Sequence, residues 1–115
     1  MYIEIQPEEA YKIIKSGRIT IVDIRDFVSF NRAHIKDAQL VGNENIEDFV
    51  RVAQLNDPLL VYCYRGNSSQ PAAEYFVNRG FKSVYHLVGG FDAWCSLDFP
   101  TEVDELSFGC VNPGN

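Results

Sequence analysis

Leu59-Leu60-Val61-Tyr62-Cys63-Tyr64-Arg65-Gly66-Asn67-Ser68-Ser69 runs from a block of apolar residues, through a cysteine, into small and polar ones. Leu59 to Tyr62 reads as a buried strand, Cys63 stands where that strand runs out, and a helix is predicted from about Ser69. Pro71 is tolerated only within a first helical turn, which supports that start. Ser68 and Ser69 are both N-cap candidates. Gly66 can adopt a left-handed backbone or let another segment approach closely, and Asn67 tolerates the same backbone region.

Strand, cysteine, tight loop and helix in that order point to a reactive thiol. A thiol attacks as its thiolate, and a free cysteine ionises with a pKa of about 8.5. A loop curled round the sulfur turns its N–H groups inward as an anion-binding concavity, and the following helix adds its positive end. Each unit of pKa depression corresponds to about 1.4 kcal/mol in favour of the charged form. The bland alternative is a cysteine packed at a strand end as a small hydrophobe. The loop, Arg65 and the immediate helix start favour the reactive reading.

Working outward, strands and helices alternate. Tyr2 to Ile5 reads as a short strand, and Pro7-Glu8-Glu9 opens a helix that carries Ala10, Ile13 and Ile14 on one stripe and ends at Gly17. Glu8 and Lys12 are spaced to pair on its wet face. Ile19 to Ile24 is a β-branched core strand with Asp23-x-Arg25 at its end. Phe27 to Arg32 reads as a short helix and Ala38 to Val41 as a further strand candidate. Ile46, Phe49, Val50 and Ala53 recur at helical spacing, with Asn43 or Asn45 as the cap. Asn56-Asp57-Pro58 turns the chain into the strand before Cys63. The helix from Ser69 buries Ala72, Ala73, Phe76 and Val77 and stops at Gly80; Ser83 to Leu87 is a strand. Gly89-Gly90 marks a hinge or close approach, and Phe91 to Trp94 begins a last helix. After Phe99-Pro100 an irregular tail is expected from about residue 101, mobile at Asn112 to Asn115.

This alternation predicts an α/β fold: a parallel sheet with helices on both faces and right-handed crossovers. Ligands of such sheets bind outside the carboxyl ends of the strands, so Cys63, Asp23 and Gly89 are expected on one rim.

The 115 residues suit a single domain spanning 1–115. A net charge of −6 would be repelled by nucleic-acid phosphates, and no basic patch offsets it; an anionic substrate must be attracted locally. Cys63, Cys95 and Cys110 are odd in number and widely spaced, which argues against a disulfide framework or zinc site and fits a reducing compartment. The first residues have no signal-peptide character, and no apolar run approaches the roughly 20 residues needed to span a bilayer. A cytoplasmic location with no membrane partner is the default expectation.

With these pieces in view, the chain resembles the rhodanese sulfurtransferases, nearest to the single-domain thiosulfate sulfurtransferases of the GlpE type. The likeness covers about Val22 to Trp94: Val22-Asp23-Ile24-Arg25-Asp26, then Ala33-His34-Ile35, then Cys63 to Ser69, then Gly89-Gly90-Phe91-Asp92-Ala93-Trp94. It implies a rhodanese-like fold with a five-stranded, mainly parallel central sheet. It also implies a ping-pong reaction in which Cys63 takes a sulfane sulfur from thiosulfate, or another sulfane donor, as a persulfide. The sulfur then passes to cyanide or to a thiol acceptor such as thioredoxin, with no metal or organic cofactor needed. Tyr64, Arg65, Gly66, Asn67, Ser68 and Ser69 would bind substrate, with Arg65 drawing in thiosulfate, while Asp23 and Arg25 would support the loop from behind. The chain departs from the family pattern at Ala33 and Asp37, where glycine is common, and at Phe30, where glutamate often stands. His34 and His86 read as structural histidines.

Two other readings stay open. A cysteine phosphatase or arsenate reductase uses a cysteine, five residues and an arginine whose guanidinium forks onto an oxyanion. Here that position holds Ser69, and the loop has the short length suited to a sulfur substrate. The other is an interaction module or persulfide carrier fed by a partner protein. For Cys95 and Cys110 a free thiol without a role is expected over resolution of a persulfide.

Overall fold

Along β5 (Leu59–Tyr62) successive side chains go to opposite cores: Leu60 and Tyr62 to one, Leu59 and Val61 to the other. All four are fully buried, which is why this strand reads as a continuous apolar run and not as an alternating one. Burying each such side chain is worth about 1.5–3 kcal/mol, so the strand leading to Cys63 is firmly anchored.

The computed structural model describes residues 1–103. In chain order they form β1 (Ile3–Ile5), α1 (Pro7–Ser16), β2 (Thr20–Asp23), α2 (Phe27–Arg32), β3 (His34–Ile35) and β4 (Gln39–Leu40). Then follow α3 (Ile46–Val52), β5, α4 (Ser69–Asn78), β6 (Val84–Leu87), α5 (Gly90–Ser96) and β7 (Thr101–Glu102). The five-stranded sheet has the order β1-β6-β5-β2-β4, and every pairing in it is parallel. Register places Asp23 beside Tyr62, so β2 and β5 end level with one another on the rim that carries Cys63. One core joins Ala10 of α1 with Phe91 and Trp94 of α5; the other joins Phe49 of α3 with Ala73 and Phe76 of α4. Helices therefore cover both faces, as the alternation predicts. Among the described residues no helix is long and apolar enough to cross a membrane.

Several local expectations are corrected. The chain at residue 101 is not irregular: β7 pairs antiparallel with β3, His34 opposite Glu102. Glu102 Oε2 accepts from the Asp37 amide at 3.0 Å and lies 3.3 Å from His34 Nε2, long-range contacts that no local pattern announces. Lys12 pairs with Glu9 at 3.6 Å, three residues away, in place of the expected Glu8. Asn45 precedes α3 but gives no side-chain cap; its amide group instead accepts from Gly42 N and donates to the Leu40 carbonyl. The expectations for Cys110 and Asn112 to Asn115 lie outside the described residues.

Asp37 has a φ of 72°. A left-handed backbone costs a side-chain-bearing residue about 1–2 kcal/mol, less for aspartate than for most. Asp37→Gly is therefore expected to leave the protein as stable as before or up to about 1 kcal/mol more stable, measured by urea unfolding. A loss of stability would contradict this account. At Ala33, by contrast, φ is −173°, an extended backbone with no need of glycine.

Candidate functional site

The chain leaves β5 at Tyr62 and closes a tight turn round the Cys63 sulfur before α4 begins. Gly66 makes the turn possible with a φ of 94°. Its amide donates to Cys63 Sγ at 3.1 Å, and the Ser69 amide, in the first turn of α4, donates at 3.3 Å. Ser69 Oγ lies 3.2 Å from the same sulfur and donates to it when the sulfur is a thiolate. The Cys63 residue is only 6 % exposed. Burial is the largest single influence on its thiol and pushes the pKa up. The Ser69 hydroxyl, the Ser69 and Gly66 amides and the Arg65 amide outweigh burial, and the thiol sits below its ordinary value.

Neither serine serves as the expected side-chain cap. Ser68 occupies the N-cap position of α4 without a capping hydrogen bond, and Ser69 is turned inward to the sulfur. The hydroxyl has been diverted from a helix end to an anion site.

The loop is braced from outside. The Phe91 amide donates to the Cys63 carbonyl and the Asp92 amide to the Tyr64 carbonyl, both at 2.9 Å, so the first turn of α5 holds the turn's outer edge. Gly90 permits this approach: a Cβ there would lie 2.5 Å from the Cys63 carbonyl oxygen and 2.7 Å from the Tyr64 carbonyl carbon. The Gly66 carbonyl accepts from His86 Nε2 and Gln70 Nε2, each at 3.0 Å. His86 is structural, as expected, but its role is specific: it ties β6 to the loop. Gln70 carries no mark in the sequence beyond being the second residue of a helix.

Tyr64, Arg65, Asn67 and Ser68 are exposed and, with Cys63, line a hollow of about 360 Å³ over the sulfur. The Arg65 guanidinium lies 5.5 Å from the Tyr64 ring centre and enters no ion pair among the described residues. Gly66 and Ser69 are buried beneath the sulfur.

Asp23 and Arg25 form a separate cluster on the same rim. Their side chains are 0 % and 7 % exposed, so they are a buried pair and not a surface one. Arg25 Nε donates to both Asp23 oxygens at 3.0 Å, and its Nη2 donates to Asp23 Oδ2 and to the Ala33 carbonyl at 2.7 Å. Tyr62 Oη donates to Asp23 Oδ2 at 2.7 Å and accepts from the Ile35 amide at 3.0 Å. Burial, reinforced by the Asp23 charge, pushes the Tyr62 phenol well above its usual range and keeps it a donor. The pair makes no hydrogen bond to the Cys63 loop. Its link to it runs through Tyr62, the residue before Cys63, and through Phe91, whose ring lies 4.1 Å from the guanidinium. Among the described residues no three His, Cys, Asp or Glu side chains gather as a metal site.

A cysteine sulfur cradled by loop amides at the carboxyl end of a central parallel strand is the site these elements build. The sequence model of the rhodanese-like domain matches residues 6–97, and the chain belongs to that family. It is 48 % identical over 99 residues to the thiosulfate sulfurtransferase GlpE of Pseudomonas fluorescens strain SBW25, a match covering 86 % of this chain and 89 % of that protein. Its identity to the thiosulfate sulfurtransferase GlpE of Stutzerimonas stutzeri is 45 %, over 87 % and 90 % of the two chains. The fold agrees with the rhodanese-like domain of the Anabaena Alr3790 protein at a TM-score of 0.79 and 23 % identity, covering 100 % of this chain and 90 % of that one.

The Ser69 hydroxyl heads the groups that pull the Cys63 thiol down. Ser69→Ala is expected to move the midpoint of pH-dependent alkylation of Cys63 upward and to slow alkylation below that midpoint roughly tenfold. An unmoved midpoint would remove the hydroxyl from the account.

Proposed function

We propose that this chain is a thiosulfate sulfurtransferase working through a persulfide on Cys63. The observation that carries the proposal is the convergence of two amides and one hydroxyl on a single sulfur. Such a cradle shifts the thiol toward its thiolate, and it favours likewise the persulfide anion that replaces it. Arg65, at the mouth of the hollow, supplies attraction for a dianion against the overall charge of −6.

In the first step the Cys63 thiolate attacks the outer sulfur of thiosulfate. A Cys63–S bond forms, the S–S bond of thiosulfate breaks, and sulfite leaves with the electron pair. In the second step a nucleophile attacks the outer sulfur of the persulfide, and Cys63 departs as the thiolate. Cyanide yields thiocyanate; a thiol acceptor, thioredoxin among the candidates, takes the sulfur as a new persulfide. The two half-reactions share one enzyme form and give ping-pong kinetics. A phosphatase reading would need a guanidinium where Ser69 instead offers an amide and a hydroxyl to the sulfur. Asp23 and Arg25 serve as supports at the base of the rim.

Intact mass after exposure to thiosulfate tests the proposal. One added sulfur atom, lost on addition of cyanide, is the expected result; an unchanged mass would refute it.

A further inference from the structure

Beside the hollow over Cys63 lies a second one of about 230 Å³, lined by Arg25, Ser29, Arg32, Ala33, Tyr64 and Phe91. Tyr64 is a wall of both. Arg25, Tyr64 and Phe91 follow the ends of β2, β5 and β6, so the second hollow opens on the ligand-binding rim of the sheet.

Charge in this region runs against the rest of the chain. The chain holds 16 acidic and 10 basic residues, yet among the described residues no carboxylate lines either hollow. Arg25 and Arg32 line one and Arg65 lines the other. The next hollow along the rim differs, with Asp26 and Glu44 beside Arg25.

The two arginines of the second hollow contribute differently. Asp23 balances the charge of Arg25, but only Nε and Nη2 are engaged; Nη1 has no hydrogen-bond partner among the described residues. The Arg25 side chain is 7 % exposed, and Nη1 is reached by solvent, free to meet an anionic occupant. Arg32 is exposed and enters no ion pair among the described residues, so it carries the surplus positive charge. The Tyr64 and Phe91 rings offer apolar walls.

We propose that this second hollow binds the carboxylate of a small thiol acceptor and so brings the acceptor's sulfur to the Cys63 persulfide. The inference rests on the persulfide reading above and adds the class of acceptor. Arginines suit a carboxylate because the guanidinium fork matches its two oxygens. A water molecule's share of liquid volume is about 30 Å³, so the hollow has room for a carboxyl-bearing tail of a few heavy atoms and not for a protein domain. The acceptor thiolate attacks the outer sulfur of Cys63–S–SH, a new S–S bond forms on the acceptor, the bond to Cys63 breaks, and Cys63 leaves as its thiolate. The amides and hydroxyl round Sγ stabilise that leaving group.

The test uses the full chain loaded with thiosulfate and freed of excess donor. Discharge is followed by intact mass with mercaptosuccinate, with 2-mercaptoethanol and with reduced thioredoxin, at equal ionic strength. The expected result is a KM for mercaptosuccinate about tenfold below that for 2-mercaptoethanol, both expressed per thiolate. Arg32→Gln is expected to raise the mercaptosuccinate KM about tenfold with kcat kept, and to change the 2-mercaptoethanol KM less than about twofold. Equal effects on both small thiols, or none on either, would overturn the inference. So would a thioredoxin discharge faster than that by mercaptosuccinate and indifferent to Arg32→Gln. A chain that never takes up sulfur overturns the persulfide reading and this one together; a loaded chain whose discharge ignores the carboxylate overturns this one alone.

Discussion

Cys63→Ser is expected to lower thiosulfate:cyanide turnover by about a thousandfold or more and to abolish the gain of sulfur seen by mass. A serine hydroxyl cannot ionise near neutrality, so the cradle has no anion to hold and the first bond cannot form. The replacement is close in volume, and the residue is only 6 % exposed, so the fold should persist with an unchanged circular dichroism spectrum. Residual sulfur uptake would have to come from another thiol. Cys95, although exposed, lacks a cradle of donors: partial desolvation raises its pKa, the Arg25 charge works against that rise, and the Asp92 and Asp98 charges add to it. Uptake that survives Cys63→Ser would end the proposed mechanism.

Asp23→Ala is expected to destabilise the protein by about 3–5 kcal/mol, because it strands a buried guanidinium. Asp23 accepts from the Arg25 side chain, from the Arg25 amide at 2.8 Å and from Tyr62 Oη, and its side chain is 0 % exposed. After truncation Arg25 retains only the Ala33 carbonyl among its described partners. The midpoint of thermal unfolding should fall by roughly 10–20 °C. Adding Arg25→Met to Asp23→Ala should recover part of the loss, since the remaining charge goes with it. A double variant no more stable than the single one would show that packing, and not the unpaired charge, carries the effect. Sulfur loading by the folded fraction should persist, because neither residue touches the sulfur.

What the sequence alone discloses follows the range of the forces involved. The strand Leu59–Tyr62 was plain because its four residues are buried on both sides, and Cys63 was plain because a glycine-bearing loop and a helix start follow it immediately. Gly90 could be recognised as a close approach because only glycine fits against another backbone. Local sequence puts Ser69 at the helix start but does not decide its hydrogen bond: capping and sulfur contact compete for one hydroxyl, and tertiary position decides. The His86 and Gln70 contacts to the Gly66 carbonyl, and the pairing of β3 with β7, join residues on different elements, and local spacing carries no trace of them. The depth of the Asp23–Arg25 pair was equally hidden, since its burial comes from Tyr62, Phe91 and Ala33 arriving from elsewhere.

The grip of the Phe91 and Asp92 amides on the Cys63 and Tyr64 carbonyls has a consequence for the order of events at synthesis. While the ribosome has delivered only as far as the Gly66 turn, the thiol is that of an ordinary unfolded peptide. The chain must extend past residue 92 before the outer clamp can close. The cradle is thus completed only once the chain has been made past residue 92, and until then the thiol keeps its ordinary acidity.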